Sequence, residues 1–245
     1  MKELKILYLY PDILELYGDY GNIQVLKYRL EKRGYKAIIE KYSIGDKAPD
    51  FKNYDLVFAG GGADQEQSIL AKDLIKYKDN IKAVNNGVFF LLICGAYQLF
   101  GKYYKGVEGN IIPGLEIFNY YTEAIENRKK RCIGNIVIEA NLNGEKTKII
   151  GFENHGGQTF DIDTPFGDVL FGNGNKFGDS KEGFFLKNVI ATYLHGPLLS
   201  KNPELADYII SHCLNRKYNE EIKLEPLNDD FENLCRKQLL DNFLN

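Results

Sequence analysis

The first hundred residues alternate between short apolar runs and longer segments with helical spacing. The apolar runs predict buried strands, and they lie at residues 6–10, 35–42, 56–59 and 89–93. The segments between them predict helices, at residues 22–33, 65–77 and 97–102. Strands that alternate with helices of this length indicate βαβ units. We therefore predict an α/β fold with a mostly parallel, doubly wound sheet flanked by helices.

Beyond about residue 101 the pattern changes to short strand-like pieces separated by glycine and asparagine. These pieces lie at residues 115–121, 133–139, 146–152, 168–171 and 189–194. They predict an additional antiparallel or mixed strand region that packs beside the first sheet. Two amphipathic helices, at residues 203–214 and 229–243, close the chain. The expected organisation is a single domain over residues 1–245.

Composition narrows the class of protein. The chain has 44% hydrophobic and 27% charged residues and a net charge of −3, so neither nucleic acid nor an anionic membrane is an expected partner. Its four cysteines form no C-x-x-C pair, which argues against zinc and against a disulfide framework. The longest apolar stretch, residues 88–94, is far shorter than the roughly 20 residues of a membrane helix. We expect a cytoplasmic protein with reduced thiols and no bound metal.

The segment around Cys94 carries the strongest chemical signal. A buried-strand pattern runs directly into Cys94, which is followed by Gly95, Ala96 and a helical segment. A sharp strand-to-helix turn with small neighbours holds a nucleophile in a strained, exposed conformation. The following helix N-terminus would favour the thiolate. The alternative is a buried cysteine at a strand end.

A thiolate nucleophile needs a proton acceptor, and the chain has three histidines. His195 directly follows the predicted strand 189–194, and ligand sites of α/β sheets lie at the carboxyl ends of strands. His155 precedes two glycines in a loop, where backbone could approach a ligand closely. His212 fits a packing role in a helix. On local sequence His195 is the better base, and His155 is the alternative.

Glycines 60–62 follow the predicted strand 56–59. The triplet is either a plain tight turn or an oxyanion hole, in which backbone N–H groups of Gly61 or Gly62 act together with that of Gly95. The chain has no G-x-x-x-x-G-K-[ST] motif, so no phosphate loop of that type is present.

Five ordered blocks together resemble the class I (triad-type) glutamine amidotransferases, and the resemblance covers almost the whole chain. It is strongest for the cobyric-acid-synthase-like branch, and within it for the glutaminase subunits of lipid II isoglutaminyl synthases. The blocks are LYGDYGN (16–22), GGGADQEQ (60–67), ICGAYQ (93–98), GFENHGG (151–157) and TYLHGP (192–197).

The resemblance implies specific roles for individual residues. Cys94 would attack the glutamine carboxamide, and His195 would transfer the proton. Substrate binding would fall to Gln98, to the segment Asn154-His155-Gly156, and to Arg128 in the basic run 127–131. That assignment moves His155 from proton transfer to the binding loop. On residue type alone, Arg128 is an ordinary surface charge.

The chain departs from the family pattern at the group that orients the histidine. Class I enzymes usually carry His-x-Glu, whereas His195 is followed by Gly196 and Pro197. Either Cys94 and His195 work as a pair, or another carboxylate reaches the ring. Asp19 is our candidate for that carboxylate. The alternative for Asp19 is that it caps the helix that begins near Asn22.

The resemblance also implies a partner. The chain has no nucleotide site, so ATP and Mg²⁺ are expected in a Mur-ligase-like synthetase subunit (MurT type) that forms a heterodimer with it. That subunit would amidate the D-glutamate α-carboxyl of the lipid II stem peptide in peptidoglycan synthesis. Alternatives are a glutaminase for another acceptor such as a corrinoid carboxyl, a thiol hydrolase or peptidase on a similar fold, and an inactive docking subunit.

Overall fold

A computed structural model describes residues 1–62, 64–82 and 87–244, without the side chains of Asp64, Gln65 and Arg128. The strands are β1 (Glu3–Leu9), β2 (Lys36–Tyr42), β3 (Leu56–Ala59), β4 (Phe89–Ile93), β5 (Tyr103–Lys105), β6 (Ile111–Pro113), β7 (Tyr121–Ala124), β8 (Cys132–Leu142), β9 (Glu145–His155), β10 (Gly157–Phe160), β11 (Gly167–Phe171), β12 (Lys181–Glu182), β13 (Phe184–Leu186) and β14 (Val189–Thr192). The helices are α1 (Tyr20–Lys32), α2 (Asp64–Leu74), α3 (Lys78–Ile81), α4 (Gly95–Phe100), α5 (Pro203–Tyr218) and α6 (Asp230–Leu244).

The main sheet has six strands in the order β13-β14-β4-β3-β1-β2. All neighbours pair in parallel except β13 and β14 at one edge. The central strands β3, β4 and β14 are buried at every residue. This explains their continuous apolar runs, because a strand covered on both faces needs no polar alternation. The predicted mostly parallel α/β sheet is confirmed.

Two further sheets of four strands accompany the main sheet. One is fully antiparallel, in the order β12-β11-β8-β9, and the other is mixed, in the order β10-β7-β5-β6. The long hairpin of β8 and β9 pairs Cys132 with His155 at its open end. The predicted antiparallel or mixed region is therefore present beside the parallel sheet.

Two strand predictions are wrong in detail. The segment 189–194 was expected in the antiparallel or mixed region, but β14 belongs to the main sheet, where it pairs in parallel with β4 and antiparallel with β13 and all four of its residues are buried. The segment 115–121 was expected to be a strand, but only Tyr121 belongs to one. The N–H groups of Leu115 and Ile117 donate instead to carbonyls at the end of α4, those of Leu99 and Phe100.

The topology brings several loops to one edge of the main sheet. Because β1, β3, β4 and β14 run in parallel, their carboxyl ends lie together, and so do the loops that follow them. Helices α1 and α5 contact each other, as do α2 and α4. Among the described residues, no helix has both the length and the apolar character needed to span a bilayer.

Candidate active site

Cys94 lies at the turn between β4 and α4. Its φ of 50° and ψ of −101° are disfavoured for a residue with a Cβ atom, so the backbone is strained there. The turn is fixed because the Cys94 N–H donates to Thr192 O at 2.8 Å and the Cys94 carbonyl accepts from Gln98 N at 3.0 Å. The predicted strained turn is present. The side chain is only 6% exposed, however, so the expected exposure is limited to what the adjoining cleft provides.

His195 is held from both its backbone and its ring. Its backbone exchanges hydrogen bonds of 2.8 and 3.1 Å with Phe152 on β9. Its fully buried ring places Nδ1 3.1 Å from Asp19 Oδ2, and the ring of Tyr17 packs edge-on at 4.9 Å. A proton on Nδ1 that is donated to Asp19 leaves Nε2 as the acceptor. Nε2 is buried without a hydrogen-bond partner in the described part of the chain.

Asp19 has the position of a helix cap but not the hydrogen bond of one. It directly precedes α1, yet its side chain makes no capping hydrogen bond. Instead, the fully buried carboxylate contacts His195 and accepts the Gly61 N–H at 2.8 Å. Of the two accounts of Asp19, the structure favours the contact with the histidine.

The electrostatics of His195 connect it to Cys94. Burial acts to lower the pKa of His195, and this is the largest single influence. It is outweighed by the negative charge of the Cys94 thiolate and by the hydrogen bond to Asp19, so the pKa of His195 is raised. By contrast, burial raises the pKa of the Cys132 thiol to about 12, so that cysteine stays protonated at neutral pH. Cys94 is thus a buried thiol whose negative charge acts on the neighbouring His195 imidazole.

The glycine triplet approaches both His195 and the Cys94 turn. A Cβ on Gly61 would lie 2.5 Å from His195 Cε1, and a Cβ on Gly95 would lie 2.9 Å from Gly62 N. The Gly61 N–H is already donated to Asp19, which corrects the prediction that it serves an oxyanion hole. Gly62 and Gly95 remain as a pair of neighbouring backbone groups. Gly95 begins α4, where N–H groups have no acceptor within the helix.

A cleft of about 650 Å³ adjoins Cys94. It is lined by Gln98, as predicted, and also by Gln67, which the sequence did not single out. Gln98 is 3% exposed, and both ends of its amide are hydrogen-bonded, to Gln67 Nε2 at 2.7 Å and to the Tyr193 hydroxyl at 3.1 Å.

Asn154 and Gly156 line the same cleft, as the sequence predicted. Asn154 Oδ1 accepts two hydrogen bonds from Arg131, and Asn154 Nδ2 donates to the Tyr17 hydroxyl at 2.5 Å. Arg131 therefore lies in the cleft. The sequence did not single it out, because the family resemblance assigned substrate binding in the run 127–131 to Arg128 and nothing distinguished Arg131 from a solvated basic residue. Arg128 begins a short 3-10 turn, and its side chain lies outside the described part of the structure.

His155 is stacked on Tyr193, with ring centroids 3.6 Å apart, and its Nδ1 hydrogen-bonds to Gly157 O at 2.6 Å. Among the described residues, a group that could hold a metal ion is formed by Cys132, Glu153 and His155, with ligand atoms within 4.8 Å of one another. Glu153, however, already accepts three hydrogen bonds, from the Asn173 N–H and side chain and from the Gly174 N–H. These contacts fix the end of β9, the strand that also carries Asn154.

The arrangement supports covalent chemistry at a carbonyl. A thiolate on a strained turn, an imidazole with one nitrogen held by a carboxylate, and adjacent backbone N–H groups are the parts that acyl transfer requires. The cleft also contains both charges that an amino acid would need, with Arg131 opposite in sign to Glu108 and Glu126.

Comparison with known proteins agrees with this chemistry. The CobB/CobQ-like glutamine amidotransferase domain matches residues 5–203. The lipid II isoglutaminyl synthase (glutamine-hydrolyzing) subunit GatD of Staphylococcus aureus is 41% identical over 242 residues, which are 98% of this chain and 96% of that protein. The same subunit of Streptococcus pneumoniae is 41% identical over 93% of this chain and 86% of its own length.

More distant similarities extend the comparison. A probable cobyric acid synthase of Methanococcus vannielii is 30% identical over 64% of this chain and 32% of its own length. A crystal structure of a glutamine amidotransferase has the same fold, with a TM-score of 0.55 at 15% identity over 84% of this chain and 98% of that one.

Proposed function

The chain belongs to the CobB/CobQ-like glutamine amidotransferase family, and from that premise we propose that it is the glutaminase subunit of a lipid II isoglutaminyl synthase. It hydrolyses L-glutamine to glutamate and ammonia, and a synthetase subunit consumes the ammonia. The observation that carries the proposal is the contact of Asp19 with His195 beside the strained Cys94 turn. The GatD relatives, similar along nearly the whole chain, support the substrate class.

In the first half of the reaction the Cys94 thiolate attacks the Cδ carbon of the glutamine carboxamide. The Gly62 and Gly95 N–H groups stabilise the oxyanion of the tetrahedral intermediate. When the intermediate collapses, the C–N bond breaks and the His195 imidazolium gives its proton to the nitrogen, which leaves as ammonia. A γ-glutamyl thioester on Cys94 remains.

In the second half, water hydrolyses the thioester. His195 Nε2 accepts a proton from the water as its oxygen attacks the carbonyl carbon, and the C–S bond breaks to return the Cys94 thiolate and release glutamate. Asp19 keeps the His195 ring in one orientation and one tautomer through both halves. Arg131 would bind the α-carboxylate of the substrate, and Glu108 or Glu126 its α-ammonium group.

The partner in this proposal is a Mur-ligase-like synthetase subunit (MurT type) in a cytoplasmic heterodimer. It would bind ATP and Mg²⁺, activate the D-glutamate α-carboxyl of the lipid II stem peptide, and receive the ammonia. The GatD relatives are named as subunits of a synthase, which supports a synthetase partner of this kind.

The experiment that tests the proposal varies the nitrogen source. The chain and a Mur-ligase-like subunit from the same genome are copurified and given lipid II, ATP and either glutamine or ammonium chloride. We expect the wild type to use both sources and Cys94→Ala to use ammonium only. Amidation from glutamine by Cys94→Ala would show that Cys94 is not the nucleophile and would favour an inactive docking role for the chain.

The acceptor is tested in the same preparation. If lipid II is not amidated while glutamine is hydrolysed, another carboxyl is the acceptor, and the similarity to cobyric acid synthases makes a corrinoid acid the next to examine. If peptides or esters are cleaved and glutamine is not, the thiol hydrolase alternative replaces the glutaminase.

A further inference from the structure

One polar atom in the cleft wall is left without a partner. The Gln67 side chain is 2% exposed, and its Oε1 is buried with no hydrogen-bond partner among the residues that the structure describes. A buried carbonyl oxygen without a donor is unfavourable, so such an atom in a binding cleft points to a donor on the ligand.

The hydrogen bonds of Gln67 Nε2 fix the orientation of the Gln67 amide. Nε2 donates to Gln98 Oε1 at 2.7 Å and approaches Gly62 O at 3.4 Å, and both of these atoms are acceptors. Gln98 in turn donates through its own Nε2 to the Tyr193 hydroxyl. A reversed Gln67 amide would set its oxygen against Gly62 O. Oε1 is therefore the atom that remains for a ligand.

The Gln67 amide lies beside the glycines that are assigned to the oxyanion. A Cβ on Gly95 would be 3.2 Å from Gln67 Nε2 and 2.9 Å from Gly62 N, so the amide sits beside the two backbone groups assigned to the oxyanion. Cys94 and Gln98 line the same cleft. A carboxamide whose oxygen faces Gly62 and Gly95 has its nitrogen about 2 Å from that oxygen, within reach of the same wall.

We propose that Gln67 Oε1 accepts a hydrogen bond from the carboxamide NH₂ of the substrate and makes the site select an amide. This inference rests on the proposed function. Glutamine offers an N–H donor at this position, whereas a glutamate carboxylate or an ester offers none and would place a second acceptor against Oε1. A site built to hydrogen-bond a substrate N–H discriminates strongly against analogues that lack it. The same contact weakens binding of the product glutamate.

The competing account is that Gln67 is only a support for Gln98. The two accounts differ in what a change at residue 67 does to different substrates. Loss of a support impairs every γ-glutamyl substrate alike, because all of them need Cys94, His195 and the oxyanion groups. Loss of a specific acceptor impairs glutamine and spares an ester.

The test compares L-glutamine with L-glutamate γ-methyl ester, which forms the same Cys94 thioester and releases methanol. Glutamate production gives kcat/KM for both substrates, with the synthetase subunit present, in wild type and Gln67→Met. Gln67→Met should lower the amide-to-ester ratio at least about tenfold.

An amide-to-ester ratio in Gln67→Met within twofold of wild type, with both rates lowered, would overturn the inference and leave Gln67 as a support. Gln67→Leu, which also lacks the acceptor, replaces the methionine variant if thermal unfolding shows that the latter does not fold. If the wild type hydrolyses neither substrate, the proposed function itself fails, which is a different result from an unchanged ratio.

Discussion

The carboxylate of Asp19 lies 3.1 Å from His195 Nδ1 and also accepts the Gly61 N–H at 2.8 Å. One buried side chain thereby connects the loop after β1, the glycine triplet after β3 and the histidine after β14. Asp19 thus brings a carboxylate to the His195 ring, whereas the two residues that follow the histidine are Gly196 and Pro197.

Asp19→Asn should lower glutamine turnover about 100-fold or more while the protein stays folded. The asparagine oxygen can still accept the Gly61 N–H, but its NH₂ group would face His195 Nδ1 and favour the wrong tautomer. Glutamate release is the measurement. Asp12→Asn is the matched control, because Asp12 is exposed and bonds only to Ser43 in the described structure. Turnover within threefold of wild type in Asp19→Asn would refute an orienting role.

The sequence predicted the central strands and the positions of Cys94 and His195, because a local pattern of apolar residues determines them. The predicted bounds of β3 and β4 agree with the structure, since a short, fully buried strand is a continuous apolar run. Cys94 and His195 were found because both follow such strands. The roles of Asp19 and Gly61 were not separable in the sequence, because the hydrogen bond between them joins residues 42 positions apart.

Arg131 and Gln67 were missed for a related reason. A basic run and a glutamine on a helix are both typical of solvated surface. Arg131 and Gln67 line a cleft only because the fold brings distant segments of the chain together around it. The failed strand at 115–121 has a similar origin, because its backbone partners are carbonyls at the end of α4, not another strand.

Gly61→Ala should reduce turnover by at least about tenfold with a small effect on folding. The added Cβ would lie 2.5 Å from His195 Cε1, and the ring cannot yield freely because Asp19 and Tyr17 hold it. Displacement of the ring separates Nε2 from Cys94, and a misplacement of about 1 Å can cost about 100-fold. Kinetics together with the melting temperature are the measurement. A fully active variant would show that a Cβ at residue 61 does not displace the His195 ring.

Cys94→Ala should lower the pKa of His195. Burial depresses that pKa, and the thiolate charge is the strongest influence that raises it, so its removal leaves burial less opposed. The histidine of the wild type stays protonated to higher pH than usual; the stability this contributes is present below about pH 6.5 and is lost as pH rises through the raised pKa. NMR titration of the His195 ring measures the change. An unchanged titration would mean that the two groups are not coupled.

Glu182→Gln should change how stability depends on pH. Burial raises the pKa of Glu182 from 4.5 to about 8, against hydrogen bonds from the Tyr193 N–H and the Thr192 hydroxyl. The folded wild type therefore loses stability as pH rises from about 4.5 to about 8, on the order of a few kcal/mol. The free energy of unfolding of Glu182→Gln should therefore rise relative to that of the wild type as pH increases across this range. Parallel curves of unfolding free energy against pH would contradict the prediction.

Arg131→Gln should raise KM for glutamine about tenfold or more, with a smaller effect on kcat, if Arg131 binds the α-carboxylate. Lys129→Gln is the matched control, since it removes one positive charge from the same exposed run. Arg128→Gln belongs in the same series, because the sequence predicted a substrate contact for Arg128. A raised KM in Arg128→Gln with a normal KM in Arg131→Gln would return the role to Arg128.

If Cys94 is the nucleophile of a glutaminase, its replacement must abolish glutamine hydrolysis. The most direct test is the initial rate of glutamate release from L-glutamine. It is measured for wild type and Cys94→Ala, each in complex with the synthetase subunit. We expect steady turnover by the wild type and a loss of at least about 1,000-fold in the variant, because no thioester can form. Turnover by Cys94→Ala equal to that of the wild type would contradict it.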